Sequence, residues 1–245
     1  MSLSGLKDID REVLKYVGDE ELVKICSLDR KTWNEVCDDA FLRRRLSKYP
    51  GTDKYKKDNE SWKQFFLSVL YYKAKMKETF KFDFNEGDFK KQYELLKKYK
   101  GDDLLYKSAE QGETSLVKYA IKNGASVHAQ QDYALRWAAA KGHLDVVKYL
   151  VEQGANIHAR NDYPLRFASE AGHLEIVRFL VEKGANIHAE DDQSLIWASR
   201  NGHLQVVHYL AENGADIHAL GDSALSMATL NNHKEVVKYL SSLEK

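Results

Sequence analysis

Residues 160–189 have the sequence RNDYPLRFASEAGHLEIVRFLVEKGANIHA, and this stretch carries the pattern of the second half of the chain. Its final His-Ala pair occurs four times at intervals of 30 residues, beginning at His128, His158, His188 and His218. A second marker, Gly-His, keeps the same interval at Gly142, Gly172 and Gly202, with Asn232 in the fourth position. A fixed period in this range predicts stacked copies of one structural unit. A stack presents a long surface for binding and no enclosed chemical pocket.

Each unit is expected to contain two short helices. In residues 160–189 the first runs from Tyr163 to about Glu170, with its inward side formed by Leu165, Ala168 and Ser169. The second runs from Leu174 to Glu182, and its apolar residues recur at helical spacing, at Leu174, Val177, Leu180 and Val181. Neither helix is long enough to be stable alone, so stacking must bury the apolar faces.

The residues between the helices have conformations that can be predicted. Asp162 precedes the first helix and is expected to cap its free N–H groups. Pro164 falls in the first turn, where a missing N–H does no harm. Gly172 and Gly184 follow the two helices, where a left-handed residue is usual. Asn232 replaces the glycine in the last unit, and Asn tolerates a positive φ better than most residues.

These stretches resemble the ankyrin repeat. Gly-His-Leu-Glu-Ile-Val at 172–177 and Gly-Ala-Asn-Ile at 184–187 are similar to the family's inter-helix and post-helix signatures. The family unit has about 33 residues. Here the segment that is usually Thr-Pro-Leu-His is, for example, Tyr-Pro-Leu-Arg at 163–166, and three residues are missing before it. The resemblance therefore implies fingers trimmed to tight turns, and the 30-residue form with Asn-Ile-His-Ala endings is similar to ankyrin proteins of giant DNA viruses.

The predicted fold is all-α: an ankyrin-type helical solenoid with shortened turns, preceded by a small helical domain. Five repeats are expected, at 103–129, 130–159, 160–189, 190–219 and 220–245. Residues 1–50 form the small helical domain, and residues 51–102 form a helical linker or N-terminal cap of the solenoid.

The first 50 residues resemble an F-box. The matching features are Glu12-Val13-Leu14, the helix start at 19–22, Trp33 with Val36, and Asp38-Asp39 before Arg44-Arg45-Leu46, although the usual opening Leu-Pro pair is absent. The resemblance implies docking on a Skp1-type adaptor of a cullin ubiquitin ligase. The adaptor-facing residues would then be Leu6, Ile9, Val13, Leu14, Leu22 and Trp33. The alternative is that these apolar residues only cap the first repeat.

Residues that differ between repeats are not required for stacking, so they are the candidates for binding a target protein. Many are Trp, Tyr or Arg, which dominate interface hot spots. They lie on the first helices and their entry turns, which line the concave side in ankyrin proteins, and comprise Tyr133, Arg136, Trp137, Lys141, Tyr163, Arg166, Phe167, Glu170, Ile196, Trp197, Arg200 and Met227. Among these, Arg136, Arg166, Glu170 and Arg200 are expected to be exposed.

Catalysis and metal binding are not expected. All nine histidines lie in the repeats, and equivalent residues of stacked helices are about 8–10 Å apart, too far to share one metal. We expect them to form hydrogen bonds at turns. No Gly-rich phosphate loop, nucleophile elbow or Cys–His motif occurs, so the chain is predicted to be a non-enzymatic protein without cofactors.

Composition limits the remaining partners. Residues 1–100 carry 23 Lys+Arg against 18 Asp+Glu and the rest 14 against 19, too even a balance for a nucleic-acid binder. Two cysteines without a disulfide framework fit a reducing compartment, and neither a secretory signal nor a membrane-spanning run is visible. The sequence thus favours a cytoplasmic, monomeric protein that bridges a Skp1-type adaptor and an unidentified target; a plain interaction scaffold is the alternative.

Overall fold

The computed structural model describes Lys56, Val69, Thr79, Phe80 and residues 88–243 of the 245-residue chain. The chain divides into two compact units, residues 1–99 and 100–245. Eleven helices and no strand occur in the described residues. The predicted F-box-like residues 1–50 and their adaptor-facing side chains lie outside the described residues, as do both cysteines.

The described part of the first unit contains helix α1, Phe89–Lys98. Asp88 caps it, because its Oδ1 accepts the N–H of Lys91 at 3.1 Å. Lys97 and Lys98 lie in the last turn, where positive charge is favourable to the helix dipole. Leu95 and Leu96 are the buried apolar side chains of α1.

The second unit consists of five antiparallel helix pairs. The first helices of the pairs are α2 Gly101–Glu110, α4 Ala129–Ala140, α6 Ala159–Glu170, α8 Ala189–Arg200 and α10 Ala219–Leu230. The second helices are α3 Thr114–Lys122, α5 Leu144–Glu152, α7 Leu174–Glu182, α9 Leu204–Glu212 and α11 Lys234–Leu243. Each first helix packs against the first helix of the next pair, so equivalent side chains form rows along the stack.

The core of the second unit contains several such rows. One row comes from the first helices and is completely buried: Leu105, Leu135, Leu165 and Leu195. Another comes from the second helices and is buried equally: Val117, Val147, Val177 and Val207. Full burial of one such side chain contributes about 1.5–3 kcal/mol, so the repeated rows account for the cohesion of helices too short to fold alone. The predicted bounds of α7 and the predicted inward positions of α6 are confirmed. Of the four residues expected on the apolar face of α7, Val177 and Leu180 are buried, whereas Leu174 and Val181 are half-exposed.

The turns that open the last four repeats are left-handed over three residues, which the sequence did not predict. In α4 these are Gln130, Gln131 and Asp132, with φ of 49°, 57° and 55°, and the right-handed helix begins at Tyr133. A non-glycine residue in this conformation costs about 1–2 kcal/mol, so contacts must offset the strain. The turn replaces the family's projecting fingers with a compact connection, as the shortened period predicted.

The aspartates of these turns do not cap their own helices, so that prediction is wrong. Asp162 Oδ1 accepts the N–H of Asn186, in the loop between α7 and α8, at 2.8 Å and the Nδ1–H of His158 at 2.9 Å. Asp132 and Asp192 make the same two kinds of bond. Each carboxylate therefore joins its turn to the loop that leads into the next helix pair.

The last turn lacks this link, since no further repeat follows α10 in the described residues. Its Asp222 Oδ1 accepts a hydrogen bond from His218 Nδ1 at 2.6 Å. Gly221 occupies the middle of the left-handed segment with a φ of 66°. Glycine adopts this conformation without cost, so the terminal turn needs fewer contacts.

Candidate protein-interaction surface

The first helices place the predicted target-binding aromatic residues in two adjacent rows. One row is Tyr133, Tyr163, Gln193 and Ser223, and the other is Trp137, Phe167, Trp197 and Met227. All of these side chains are half-exposed. The helical spacing of four residues brings a member of each row onto the same face of one helix.

The aromatic rings of these rows contact one another across helix boundaries. Tyr163 stacks on Phe167 with ring centroids 3.6 Å apart, and Phe167 meets Trp197 edge-on at 5.1 Å. Tyr133 lies 5.8 Å from Trp137 and 4.8 Å from Tyr106 of α2. We call this set the aromatic face: Tyr106, Tyr133, Trp137, Tyr163, Phe167 and Trp197. Tyr106 was missed by the sequence analysis because the first repeat is degenerate.

The prediction that Arg136 and Arg166 are exposed is wrong. Their exposed fractions are 4% and 9%. Arg136 donates from Nε and Nη2 to the carbonyl oxygens of Gln131 and Gln130, each at 2.9 Å. Arg166 makes the equivalent bonds to Asn161 and Arg160. Both arginines thus hold the carbonyl groups of the left-handed turn, which is a structural role that helical spacing alone cannot reveal.

The other candidates differ in how accessible they are. Lys141 is exposed and its Nζ lies 5.6 Å from the ring centroid of Trp137, so it borders the aromatic face. Arg200 is exposed, as predicted, whereas Glu170 and Met227 are half-exposed. Ile196 occupies the position of the two arginines and is buried, at 8% exposure. Ile196 therefore offers little apolar area to a bound protein.

A groove of about 490 Å³ opens between α4 and α6 on the aromatic face, lined by Gln130, Gln131, Tyr133, Arg136, Trp137, Arg160 and Tyr163. Two of these residues are cationic, three are aromatic and none is acidic. Burial lowers the pKa of the Arg136 guanidinium, and the positive charge of Arg160 lowers it further. Burial raises the pKa of the Tyr163 hydroxyl, which therefore stays protonated at neutral pH. The groove therefore combines apolar walls with positive charge.

The histidines hold turns and repeats together, as predicted. His203 donates from Nε2 to the carbonyl oxygen of Glu170 at 2.9 Å, and His143 and His233 make the same bond to the preceding repeat. His173 occupies the equivalent position in its own repeat, and burial is the main cause of its lowered pKa. Among the described residues, no group of His, Cys, Asp and Glu side chains could hold a metal ion.

The same histidines explain the glycines between the helices. A Cβ on Gly172, whose φ is +77°, would lie 2.5 Å from His203 Nδ1. Gly112, Gly142 and Gly202 face the next histidine in the same way. Asn232 has a φ of 60° but belongs to the last pair, which has no following histidine in the described residues, so a side chain fits there.

The second helices carry a cation–aromatic series that the sequence analysis missed. Lys118 Nζ lies 5.5 Å from the ring of Tyr149, and Arg178 Cζ lies 4.7 Å from the ring of Tyr209. The ring of His208 stacks on Tyr239 at 3.6 Å. The sequence pattern that could have predicted this series is a basic residue followed by an aromatic one, which recurs at 118–119, 148–149, 178–179, 208–209 and 238–239. These pairs connect adjacent repeats, and each contributes about 0.5–1 kcal/mol at exposed positions.

Comparison with protein families identifies this architecture. The family model "Ankyrin repeats (3 copies)" matches residues 70–161 and 157–220, more than half of the chain. The protein therefore belongs to the ankyrin-repeat family, whose members are typically non-enzymatic interaction scaffolds and whose repeats imply a protein partner. No curated relative matches the chain. In the part of the chain that the structure describes, no helix is both long and apolar enough to cross a membrane.

Proposed function

We propose that the protein captures a target protein on its aromatic face. The observation that carries the proposal is the set of half-exposed rings on α4, α6 and α8, where Tyr133 also packs on the buried ring of Tyr106 of α2. The core rows already supply the stacking of the repeats, so aromatic side chains of this size are not needed at these positions for cohesion. Tyr and Trp bury large areas at low entropic cost, and they are enriched at the centres of interfaces.

Affinity purification tests this proposal. We expect the full-length Trp137→Ala/Trp197→Ala variant to recover at least about tenfold less of the specific partners than the wild type, because each hot-spot truncation costs about 2 kcal/mol. Recovered proteins are quantified by mass spectrometry. The matched control is Tyr149→Ala/Tyr209→Ala, which removes two aromatic residues from the second helices. Equal recovery by all three proteins would contradict the proposal.

We propose further that residues 1–50 recruit a Skp1-type subunit of a cullin ubiquitin ligase, so that the captured protein is ubiquitinated. The support is the F-box resemblance of the sequence, in particular Glu12-Val13-Leu14 and Trp33 with Val36. The Asn-Ile-His-Ala endings at 156–159 and 186–189 support an origin in a giant DNA virus, with a host protein as the target in the host cytoplasm. The alternative function is an interaction scaffold without ligase coupling.

A binding measurement with purified Skp1 separates these two functions. We expect the wild-type chain to bind Skp1, and Ile9→Asp/Leu14→Asp to abolish binding because a charged side chain cannot enter an apolar interface. Circular dichroism should show intact repeats in the variant. If the wild-type chain does not bind Skp1 at tens of micromolar, which corresponds to a binding free energy of about −6 kcal/mol, the ligase function is contradicted and the interaction scaffold is the remaining function. Unfolding of the repeats in the variant would instead identify Ile9 and Leu14 as a cap.

A further inference from the structure

The buried arginines Arg136 and Arg166 hold equivalent turns, but the hydrogen bonding of their Nη1 atoms differs. Arg166 donates from Nη1 to the Oε1 of Gln193, in addition to its two bonds to the turn. For Arg136 the position equivalent to Gln193 is occupied by Tyr163, whose ring centroid lies 5.1 Å from the guanidinium carbon. Among the described residues, Nη1 of Arg136 therefore has no hydrogen-bond acceptor.

This donor faces the groove described above. The exposed fraction of Arg136 is 4%, and this side chain lines the groove together with the rings of Tyr133, Trp137 and Tyr163. Nη1 is the part of this largely buried side chain that is accessible from the groove, and the aromatic rings around it strengthen any new ionic hydrogen bond. The groove thus contains a directional donor for an anionic acceptor.

Asp132 favours the positive charge of Arg136, but no carboxylate of the described residues accepts a hydrogen bond from Nη1. Asp132 is the carboxylate close to Arg136, but its Oδ1 accepts bonds from the N–H of Asn156 and from His128. Arg160 is exposed at the rim, and its Nε donates to the side chain of Gln131. Arg160 adds positive charge to the groove, and the Coulombic effect of that charge on Arg136 is unfavourable. An incoming carboxylate would relieve this repulsion.

We propose that the groove binds an acidic segment of the partner protein, with an Asp or Glu carboxylate on Arg136 Nη1 and a neighbouring apolar side chain against Trp137. The proposal rests on the proposed function, since it names the chemistry of the captured protein. A long polyanion such as a nucleic acid fits less well, because Glu170, Glu190 and Asp191 lie farther along the same first helices and turns. The specificity is for one or two carboxylates next to apolar residues.

The repeat itself provides the variants that test this proposal. Tyr163→Gln copies the arrangement at Gln193, so that the new amide oxygen accepts the hydrogen bond from Arg136 Nη1. Tyr163→Phe keeps the aromatic ring and leaves Nη1 available. Arg166→Met removes the equivalent arginine outside the groove, and Arg136→Met removes the arginine inside it. Both Met variants lose two bonds to their turns, and Arg166→Met also loses the bond to Gln193, so any weaker peptide binding by Arg136→Met does not come from a larger loss of hydrogen bonds.

Binding is measured by fluorescence anisotropy and by NMR of the full-length protein, with labelled peptides up to about 1 mM. The probe alternates Glu with Leu and Tyr; a peptide with Gln in place of Glu and a single-stranded oligothymidylate serve as comparisons. We expect the Glu peptide to bind at least about tenfold more tightly than the Gln peptide, because an ionic hydrogen bond is stronger than a neutral one. Tyr163→Gln and Arg136→Met should each remove that preference, whereas Tyr163→Phe and Arg166→Met should keep it.

Three outcomes would overturn the inference: equal binding of the Glu and Gln peptides, equal losses in the two Met variants, or tighter binding of the oligonucleotide. Absence of any shift at the highest peptide concentration would overturn it as well. A different result would contradict the proposed function: the Trp137→Ala/Trp197→Ala variant would still recover all the partners of the wild type. If that variant loses its partners while the Glu peptide does not bind, the aromatic face remains the interaction surface and only the acidic chemistry is wrong.

Discussion

Gly172→Ala should lower the free energy of unfolding by about 3 kcal/mol. A left-handed alanine costs about 1–2 kcal/mol. In addition, the new Cβ would lie 2.5 Å from His203 Nδ1 and 2.8 Å from its Cγ, so the imidazole must move. Displacement of the ring breaks its hydrogen bond to the carbonyl oxygen of Glu170, a further loss of about 1 kcal/mol. Urea denaturation followed by circular dichroism measures the change.

Gly184→Ala is the matched control for this prediction. Gly184 has a φ of +95°, so alanine is strained there too, but a Cβ would meet no atom within 4 Å. We expect it to cost about 1–2 kcal/mol. In a His203→Ala background, Gly172→Ala should cost no more than Gly184→Ala, because the imidazole is gone. Equal costs for the two glycine variants in the wild-type background would show that the histidine contact does not select glycine.

Asp162→Ala should destabilise the stack by about 2–3 kcal/mol. The carboxylate is 5% exposed and accepts bonds from the backbone of Asn186 and from His158. Hydrogen bonds to a charged group contribute about 1.5–3 kcal/mol, and alanine removes both. The loss should loosen the loop between α7 and α8, which amide hydrogen exchange would detect as reduced protection in these two helices.

Asp222→Ala tests whether the bond to the loop that follows the second helix is the cause. Asp222 has the same place in its turn and the same left-handed conformation, with a φ of 59°, but it is half-exposed and accepts a bond from His218. An exposed ion pair contributes at most about 1 kcal/mol, so we expect a cost below that value. A cost equal to that of Asp162→Ala would mean that the His–Asp contact, and not the bond to Asn186, stabilises the turn.

The aromatic face was predicted only in part. The positions that vary between repeats identified Tyr133, Trp137, Tyr163, Phe167 and Trp197. Variation also selected Arg136 and Arg166, which are buried, because an arginine that holds a turn and one that faces solvent occupy the same side of a helix. The direction of a long side chain depends on which acceptors surround it, and these acceptors come from the turn and from the next repeat.

The sequence by itself determined the features that depend on residues close in the chain: the 30-residue period, the bounds of α7, and left-handed residues at Gly172, Gly184 and Asn232. These follow from apolar spacing and from the conformational freedom of single residues. The tertiary structure decided the rest. It turned Asp162 from a helix cap into a link to Asn186, 24 residues away, and it gave Arg166 an internal acceptor that Arg136 lacks. The hydrogen-bond partners of these side chains depend on which groups of neighbouring helices and turns lie within reach, and the sequence close to each residue does not contain that information.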